Sequence, residues 1–584
     1  MAMNRIGKTA LCFVLFSAVA LPFFGQEALK SMEENYYDFL SLTGNTERNY
    51  LNFRTLEESR WTVTDEDGSK DVWAEKNLGK RRLIWERPSE ERNWFTRGFD
   101  NSFSYKVYGA EWYSSWNSTA PFGQNDGGLW QGRGYNTALS AGARIEGYGF
   151  SLSIRPQLSF SQNLDYNYLV EGYKSATYAG KASDYGYVWG QCDAVQRFGD
   201  GAFWNFDWGD TEIRWSWRKF TVGFGTEAIW LGPAVQNVLL HSNNAPTYPK
   251  LDIGLRRTKI IIPHFGWYIG DIETRLWVGY LSESDYFDND SSNDHNQFSG
   301  FTFSYSPSFL PGLTLGVQKM TVSKWGDAFW LYAYPGFNGN TLTGKTSRQG
   351  EDQKASITAD WIFTKIGLEI YGEIGFDDFL ADGMKGYEYL RYPFHTITYT
   401  AGLRKSLELS RTRKLRGLLE FEWNNTEGSQ DYQMWSGSGY NFGFHGQITQ
   451  GYTNRGQWLG SGIGYGGNSQ YLAFTVYSPH GYEKIFIARN NPDNNFVYYK
   501  SVDADKDRTV YNGARYFTAF KANFYFGFEN LYHILKNLSV RYGFLYNLII
   551  NPTYEPKYNE NTGKWRGYSY EHNFHLELSL KYHF

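Results

Sequence analysis

The sequence predicts an all-β chain, a transmembrane antiparallel β-barrel of about 18 strands with a short amino-terminal helical segment at its periplasmic side. Three observations predict it. The last eleven residues, Phe574 to Phe584, alternate strictly. Phe574, Leu576, Leu578, Leu580, Tyr582 and Phe584 are apolar, and His575, Glu577, Ser579, Lys581 and His583 are polar. A period of two puts one face in an apolar medium and the other in a polar one. The chain also begins with an export-type leader. Finally, 19% of its residues are aromatic although mean hydropathy is only -0.54. Barrels place Tyr and Trp at both membrane interfaces while half of each strand faces a wet lumen.

Arg5 and Lys8 precede an apolar run from Ala10 to Phe24. That run is shorter than the ~20 residues a spanning helix needs. It reads as a cleaved signal over residues 1–25, with Ala18-Val19-Ala20 or Gly25 marking cleavage. Cys12 lies inside the signal, so Cys192 alone remains and no intrachain disulfide or cysteine metal cluster is expected.

Residues 26–97 differ from the rest of the chain. Glu27 to Leu42 reads as a helix, with Leu29, Met32, Tyr36 and Phe39 near a 3.6 period and Gly44 past its end. Thr46 to Trp61 reads as a second short helix. Thr64 to Trp94 is highly charged. Two readings stay open for this region: a solvated periplasmic segment, or a small plug at the periplasmic mouth.

From about residue 98 to 584 the period is two. Leu139, Ala141, Ala143 and Ile145 alternate with Ser140, Gly142, Arg144 and Glu146. Ile366, Leu368, Ile370 and Ile374 alternate with Gly367, Glu369 and Glu373. Leu538, Val540, Tyr542 and Phe544 alternate with Ser539, Arg541 and Gly543. In a bilayer only a closed barrel satisfies such strands without an edge. The plausible strands number roughly eighteen or nineteen, and bacterial single-chain barrels have even counts, giving 18. Short turns such as 146–149 and 364–365 belong to the periplasmic side. Long polar connections belong outside: roughly 163–210, 282–296, 325–352, 377–391, 424–442 and 479–510.

One segment is more specific than alternation. It runs from Phe224 to Leu251. Gly225, Trp230, Gly232 and Pro233 open it, Leu239 and Leu240 come next, and Ser242, Asn243, Asn244, Ala245, Pro246 and Pro249 close it. This stretch resembles the Wzi family of capsule-assembly outer-membrane proteins. Tyr37-Asp38-Phe39-Leu40 and Leu51-Asn52-Phe53-Arg54 resemble that family's lead-in. Leu231 and Ala234 depart from its pattern, where Trp and Gly are frequent. The resemblance implies an 18-stranded barrel in the bacterial outer membrane. It also implies a surface protein that binds or attaches capsular polysaccharide. The residues themselves say less. Gly232-Pro233 and Ala245-Pro246 make turns, and Asn243-Asn244 bonds its own backbone readily. That describes a loop folded into the lumen, with direct ligand contact as the second reading.

Sugar recognition needs aromatic faces and planar polar groups. Trp112, Tyr113, Trp116, Trp204, Trp208, Trp325, Trp330, Tyr332 and Tyr334 are candidates, against an interfacial girdle as the plainer role. Trp330 and Tyr334 sit furthest from a clean strand and are the expected glycan contacts. Glu369 with Glu373, and Glu420 with Glu422, share strand faces. Lumen carboxylates are ordinary in porins, and Arg144, Arg155, Arg404, Arg416 and Arg541 supply counter-charge. His241-Ser242 gives no nucleophile–base geometry by itself. Asp285, Asp288, Asp290 and Asp294 lack the Gly and terminal Glu of a calcium loop. No enzyme, cofactor or metal is therefore expected. A net charge of -4 gives no reason to expect nucleic acid. The expected partners are surface polysaccharide, outer-membrane lipid and the barrel-insertion machinery. The alternative function is a porin or substrate channel.

Overall fold

A computed structural model describes residues 31–584 except 59–60, 65–69, 77, 79–80, 170–184, 189–191, 289, 327–350, 378–396, 430–440, 444, 447, 504–519, 555–557, 560, 562–563 and 566–567. The leader and the expected glycan contacts Trp330 and Tyr334 lie outside the described residues.

A helix, α1 (Met32–Ser41), comes first. Eighteen strands then build the barrel. They are β1 (Ser102–Asn117), β2 (Gly134–Gly147), β3 (Phe150–Ile154 and Gln157–Ser161), β4 (Phe203–Asp207 and Glu212–Trp217), β5 (Phe220–Gly225) and β6 (Lys250–Ile262). Next come β7 (Trp267–Ser282), β8 (His295–Pro307), β9 (Leu313–Lys324), β10 (Glu351–Phe363), β11 (Leu368–Asp377) and β12 (Thr398–Ser410). The wall ends with β13 (Leu415–Asn425), β14 (Asn468–Ser478), β15 (Gly481–Asn491), β16 (Ala522–Leu535), β17 (Leu538–Ile550) and β18 (Tyr570–Tyr582). A second helix, α2 (Asn494–Asp503), lies between β15 and β16.

Each strand pairs antiparallel with its neighbours, and β18 closes on β1 with Leu578 opposite Ser114. Pro156 interrupts β3, because proline cannot donate to the ladder. At the seam, β1 bulges between Tyr108 and Glu111. A Cβ on Gly109 would come within 1.3 Å of the Tyr582 carbonyl oxygen, so only glycine fits there. The segment Arg82–Glu86 pairs with the start of β1, beyond the part that β18 covers.

Burial is inverted relative to a soluble protein. Phe574, Leu576, Leu578, Leu580 and Tyr582 are exposed, while His575, Ser579, Lys581 and His583 are buried. Ile253, Ile357, Ile370, Ile374, Ile485 and Phe526 are exposed on other strands. Outward apolar and inward polar residues define a bilayer-spanning barrel. No described helix is long and apolar enough to cross a membrane.

Short turns occupy one end and long connections the other. Three local expectations fail. Phe203–Asp207, inside the expected 163–210 connection, pairs with Gln157–Ser161 as part of β4. Pro479-His480 is a tight hairpin turn into β15, not the start of a long loop, and the connection begins after Asn491. Pro and Gly mark turns of any length, and strand pairing chose the shortest. Thr46 to Glu58 and Trp61, the described part of the expected second helix, are not helical. Phe53–Arg54 instead forms a two-residue ladder with Trp230–Leu231. A partner strand segment inside the barrel overrides a weak local period.

Candidate functional site

Two segments of the chain are fixed in the lumen, and Phe442, Ile448, Tyr452, Leu459 and Tyr465 of the β13–β14 connection pack with them in one buried core. The first runs from α1 to residue 58. Ser31 caps α1, its hydroxyl accepting from the Glu34 amide at 3.2 Å. One face of α1 is apolar. Tyr36 stacks on Trp73 with ring centres 4.0 Å apart, and Phe39 stacks on Tyr477 at 4.6 Å. The other face carries buried carboxylates that meet cations of the wall. Asp38 lies 2.7 Å from Arg404 and 2.8 Å from Arg48, and Arg48 reaches Asp360 and Glu369. Glu33 meets Lys581, and Glu57 and Glu58 meet Arg256. Arg144 also pairs with Glu57, and Arg275 with Glu58. Burial alone would raise these acids. The facing cations outweigh it, holding Asp38 well below the carboxylate range and Glu33 and Glu58 down at about 2.

The second segment is the 226–249 connection, which carries the motif read from sequence. Three wall glutamates hold the lumen backbone. Glu422 accepts from the amides of Val235, Gln236 and Asn237 at 2.7, 3.1 and 2.7 Å. Glu373 accepts from Leu239 at 3.0 Å. Glu273 accepts from Leu51, Asn52 and Phe53 at 2.8, 3.1 and 2.8 Å. A carboxylate that caps several N–H groups satisfies donors that burial would otherwise orphan. Glu227 does the same from within the connection, accepting from the Glu57 amide at 2.6 Å. Burial, with Glu212 nearby, pushes Glu227 well above its ordinary range.

The motif residues have structural partners here. Gly225 ends β5 opposite Lys250. Trp230 is fully buried and its indole N–H donates to the Ala234 carbonyl at 2.8 Å. Gly232 has φ 106°, a value that favours glycine, and Pro233 comes next, partly buried. Ser242 Oγ donates to the Gly460 carbonyl at 2.6 Å and accepts from the Asn244 amide. The Asn244 side chain donates to the Trp458 carbonyl at 3.0 Å, and the Asn243 carbonyl accepts from Gly127. Ala245 lies in the lumen core, the Pro246 carbonyl accepts from Asn454, and that of Pro249 from Tyr280. His241 bonds Tyr248 at 2.6 Å, and burial pushes it down to about 3, so it stays neutral at pH 7. Its ring and the Ser242 hydroxyl thus serve different partners, with no nucleophile–base pair between them.

The plug leaves one side of the lumen open. A cavity of about 460 Å³ lies against β14 to β18 and β1. A second, of about 240 Å³, lies beside it and reaches Ser31. Tyr113, Asp126, Leu129 and Arg541 line both. Burial pushes Asp126 up to about 7, and its carboxylate accepts from Gln131 at 2.8 Å.

The aromatic candidates separate by face. Trp112, Trp116, Trp204, Trp208 and Trp325 are exposed, whereas Tyr113 faces the cavity. The acidic run converges only in part: Glu283, Asp288 and Asp294 approach one another within 4.8 Å. Burial and the nearby Asp193 push Glu283 up to about 9. Sequence reasoning missed Glu273. Its inward position on an alternating strand was readable, but not its backbone partners.

Residues 113–479 match the family model described as capsule assembly protein Wzi. Similar solved structures include Wzi of Escherichia coli, described as an outer membrane protein involved in group 1 capsule assembly and a carbohydrate-binding β-barrel. It is 10% identical, with 82% of this chain and 85% of that one covered and a TM-score of 0.49. OccAB4 of Acinetobacter baumannii is 7% identical, over 81% and 97% of the two chains, with a TM-score of 0.38. OprB of Pseudomonas putida is 11% identical, over 82% and 94%, with a TM-score of 0.32. No curated protein matches the sequence.

Proposed function

Because the chain belongs to the Wzi family of capsule assembly proteins, we propose that this outer-membrane barrel binds surface polysaccharide and attaches it to the cell. It acts in this reading as a binding protein and not as an enzyme or a diffusion porin.

The observation that carries this reading is the way the lumen is filled. A porin needs a continuous wet passage. Here α1 and the 226–249 connection are fixed to the wall by buried ion pairs and by Glu273, Glu373 and Glu422. Ion pairs of this kind cost several kcal/mol per charge to desolvate, so a pore would not retain them as ornament. A filled barrel instead offers a rigid platform whose long connections face outward. Trp330 and Tyr334, in one of those connections, remain the proposed sugar contacts on sequence grounds.

The test pairs two measurements on the full chain: single-channel current in planar bilayers, and capsule retention on whole cells after deletion and complementation. The reading expects near-silent bilayers and capsule shed into the medium by the deletion strain. A large steady conductance with capsule retention unchanged would move the assignment to a porin.

A further inference from the structure

We propose that the 460 Å³ lumen cavity is itself a glycan subsite that takes one or two sugar units of the attached polysaccharide. This rests on the attachment reading and names where, inside the barrel, a chain segment would be held.

The size is that of a small-molecule site, inside the range of ~300–1,000 Å³. Its position is selective. The two plug segments bind walls from β2 to β13 and, through Phe39 and Glu33, the short-turn ends of β14 to β16 and β18, while the cavity keeps the rest of β14 to β18 and β1 as its wall. It extends from Ser469 and Asn490, at the long-connection end, down to Lys484, Glu529 and Arg541. The cavity therefore reaches the end at which external polysaccharide would arrive.

The lining suits sugars. Carboxamides of Gln236 and Asn490 face vicinal hydroxyls, while those of Gln124, Gln131 and Gln457 line the cavity with bonds already made to Gln236 and Asn237, to Asp126, and to Gly127. Rings of Phe122, Tyr471 and Tyr525 offer flat apolar faces to sugar C–H surfaces. Two amides have unused capacity. Asn490 is 8% exposed, and its side-chain oxygen has no hydrogen-bond partner among the described residues. The Gln236 side chain makes no hydrogen bond to any described residue. A buried acceptor left unpaired costs free energy that a hydroxyl ligand would recover.

Two of the three cations that line the cavity are matched by carboxylates. Lys484 lies 3.5 Å from Glu529, and Arg541 lies 3.2 Å from Glu577. Tyr113 donates to Gln131 and to Glu577. Arg489, the third, bonds the side-chain oxygens of Asn468 and Gln470 and has no carboxylate partner among the described residues, so charge does not select between neutral and acidic units.

Two neighbouring positions on β15 make the test. Ala488 lines the cavity, whereas Ile487 faces outward and is 52% exposed. The probe is the set of oligosaccharides released by partial acid hydrolysis of the surface polysaccharide of the cells that make the protein, separated into neutral and acidic fractions. Binding is measured by calorimetry on the full-length protein in detergent. Ala488→Trp should abolish binding of whichever fraction the wild type binds, and Ile487→Trp should leave it unchanged. Asn490→Leu, which fills less space, should weaken binding roughly tenfold by removing one buried acceptor. Heat-modifiable gel migration identifies any variant that fails to fold, and Asn490→Leu then carries the comparison. Equal binding by wild type and the two cavity variants overturns the cavity while leaving attachment intact. A wild type that binds neither fragments nor intact polymer overturns attachment itself, and the cavity proposal with it.

Discussion

Lys581 Nζ lies 2.7 Å from Glu33 Oε2, joining the closing strand to the first helix across 548 residues of sequence. The contact couples barrel closure to lumen filling. Until β18 is in place, Glu33 has no cation at that position, and a buried carboxylate without one is costly.

Acid should release the plug. Glu33 and Glu58 have an ordinary value of 4.5 and are held at about 2. Their folded values are depressed, so the stabilisation is fully present above about pH 4.5 and is lost as pH falls toward 2. Bilayer recordings should be quiet at pH 7 and show opening events between about pH 4 and 2. Glu33→Gln should bring openings at neutral pH. Silence across the whole range would show that α1 is held by its apolar face alone.

Glu422→Ala should loosen the 226–249 connection. It removes the acceptor of three backbone amides, each costing about 1–3 kcal/mol if left buried and unpaired. Asn244→Ala should act in the same direction but more weakly, because it loses bonds to the Trp458 carbonyl and the Asn125 amide. The readout is single-channel current, and raised, noisy conductance is expected from both. Currents like those of the wild type would mean that the wall glutamates do not hold the loop.

Side-chain direction can be checked by charge insertion. Leu578 is 40% exposed on the outer face, and Ala488 lines the cavity. An Arg facing lipid near the midplane costs about 2–4 kcal/mol. Leu578→Arg should therefore destabilise far more than Ala488→Arg in reversible unfolding from liposomes. Equal losses would put the register in error.

Removing Phe584, or Phe584→Asp, should cut insertion into the outer membrane sharply. Phe584 packs edge-on against Tyr582, with ring centres 4.7 Å apart, and completes the outward apolar row. Surface levels are the measurement, and normal levels of heat-modifiable protein would rule this out.

Trp330→Ala and Tyr334→Ala should weaken capsule retention with barrel stability nearly unchanged. Retention by whole cells is compared with the unfolding midpoint of each purified variant. A shifted midpoint with full retention would make these residues structural.

The barrel was legible because its signal is local and repeated. Alternation along Phe574 to Phe584 alone gives which side chains meet lipid, and Leu578 outside with Ser579 inside comes from parity. The motif at 224–251 was legible as a lumen loop from its turn residues. Parity also placed Glu373 and Glu422 inside, but could not say what they hold. Their partners, Leu239 and Val235 to Asn237, lie more than 130 residues away in sequence. Similarly, nothing near Phe53 and Arg54 announces Trp230 and Leu231 as their ladder partner. The sequence by itself determined the wall, since pleat and membrane act on adjacent residues. Only the tertiary structure decided what fills the lumen, since burying a charge there depends on which distant counter-charge closure of the barrel brings to meet it.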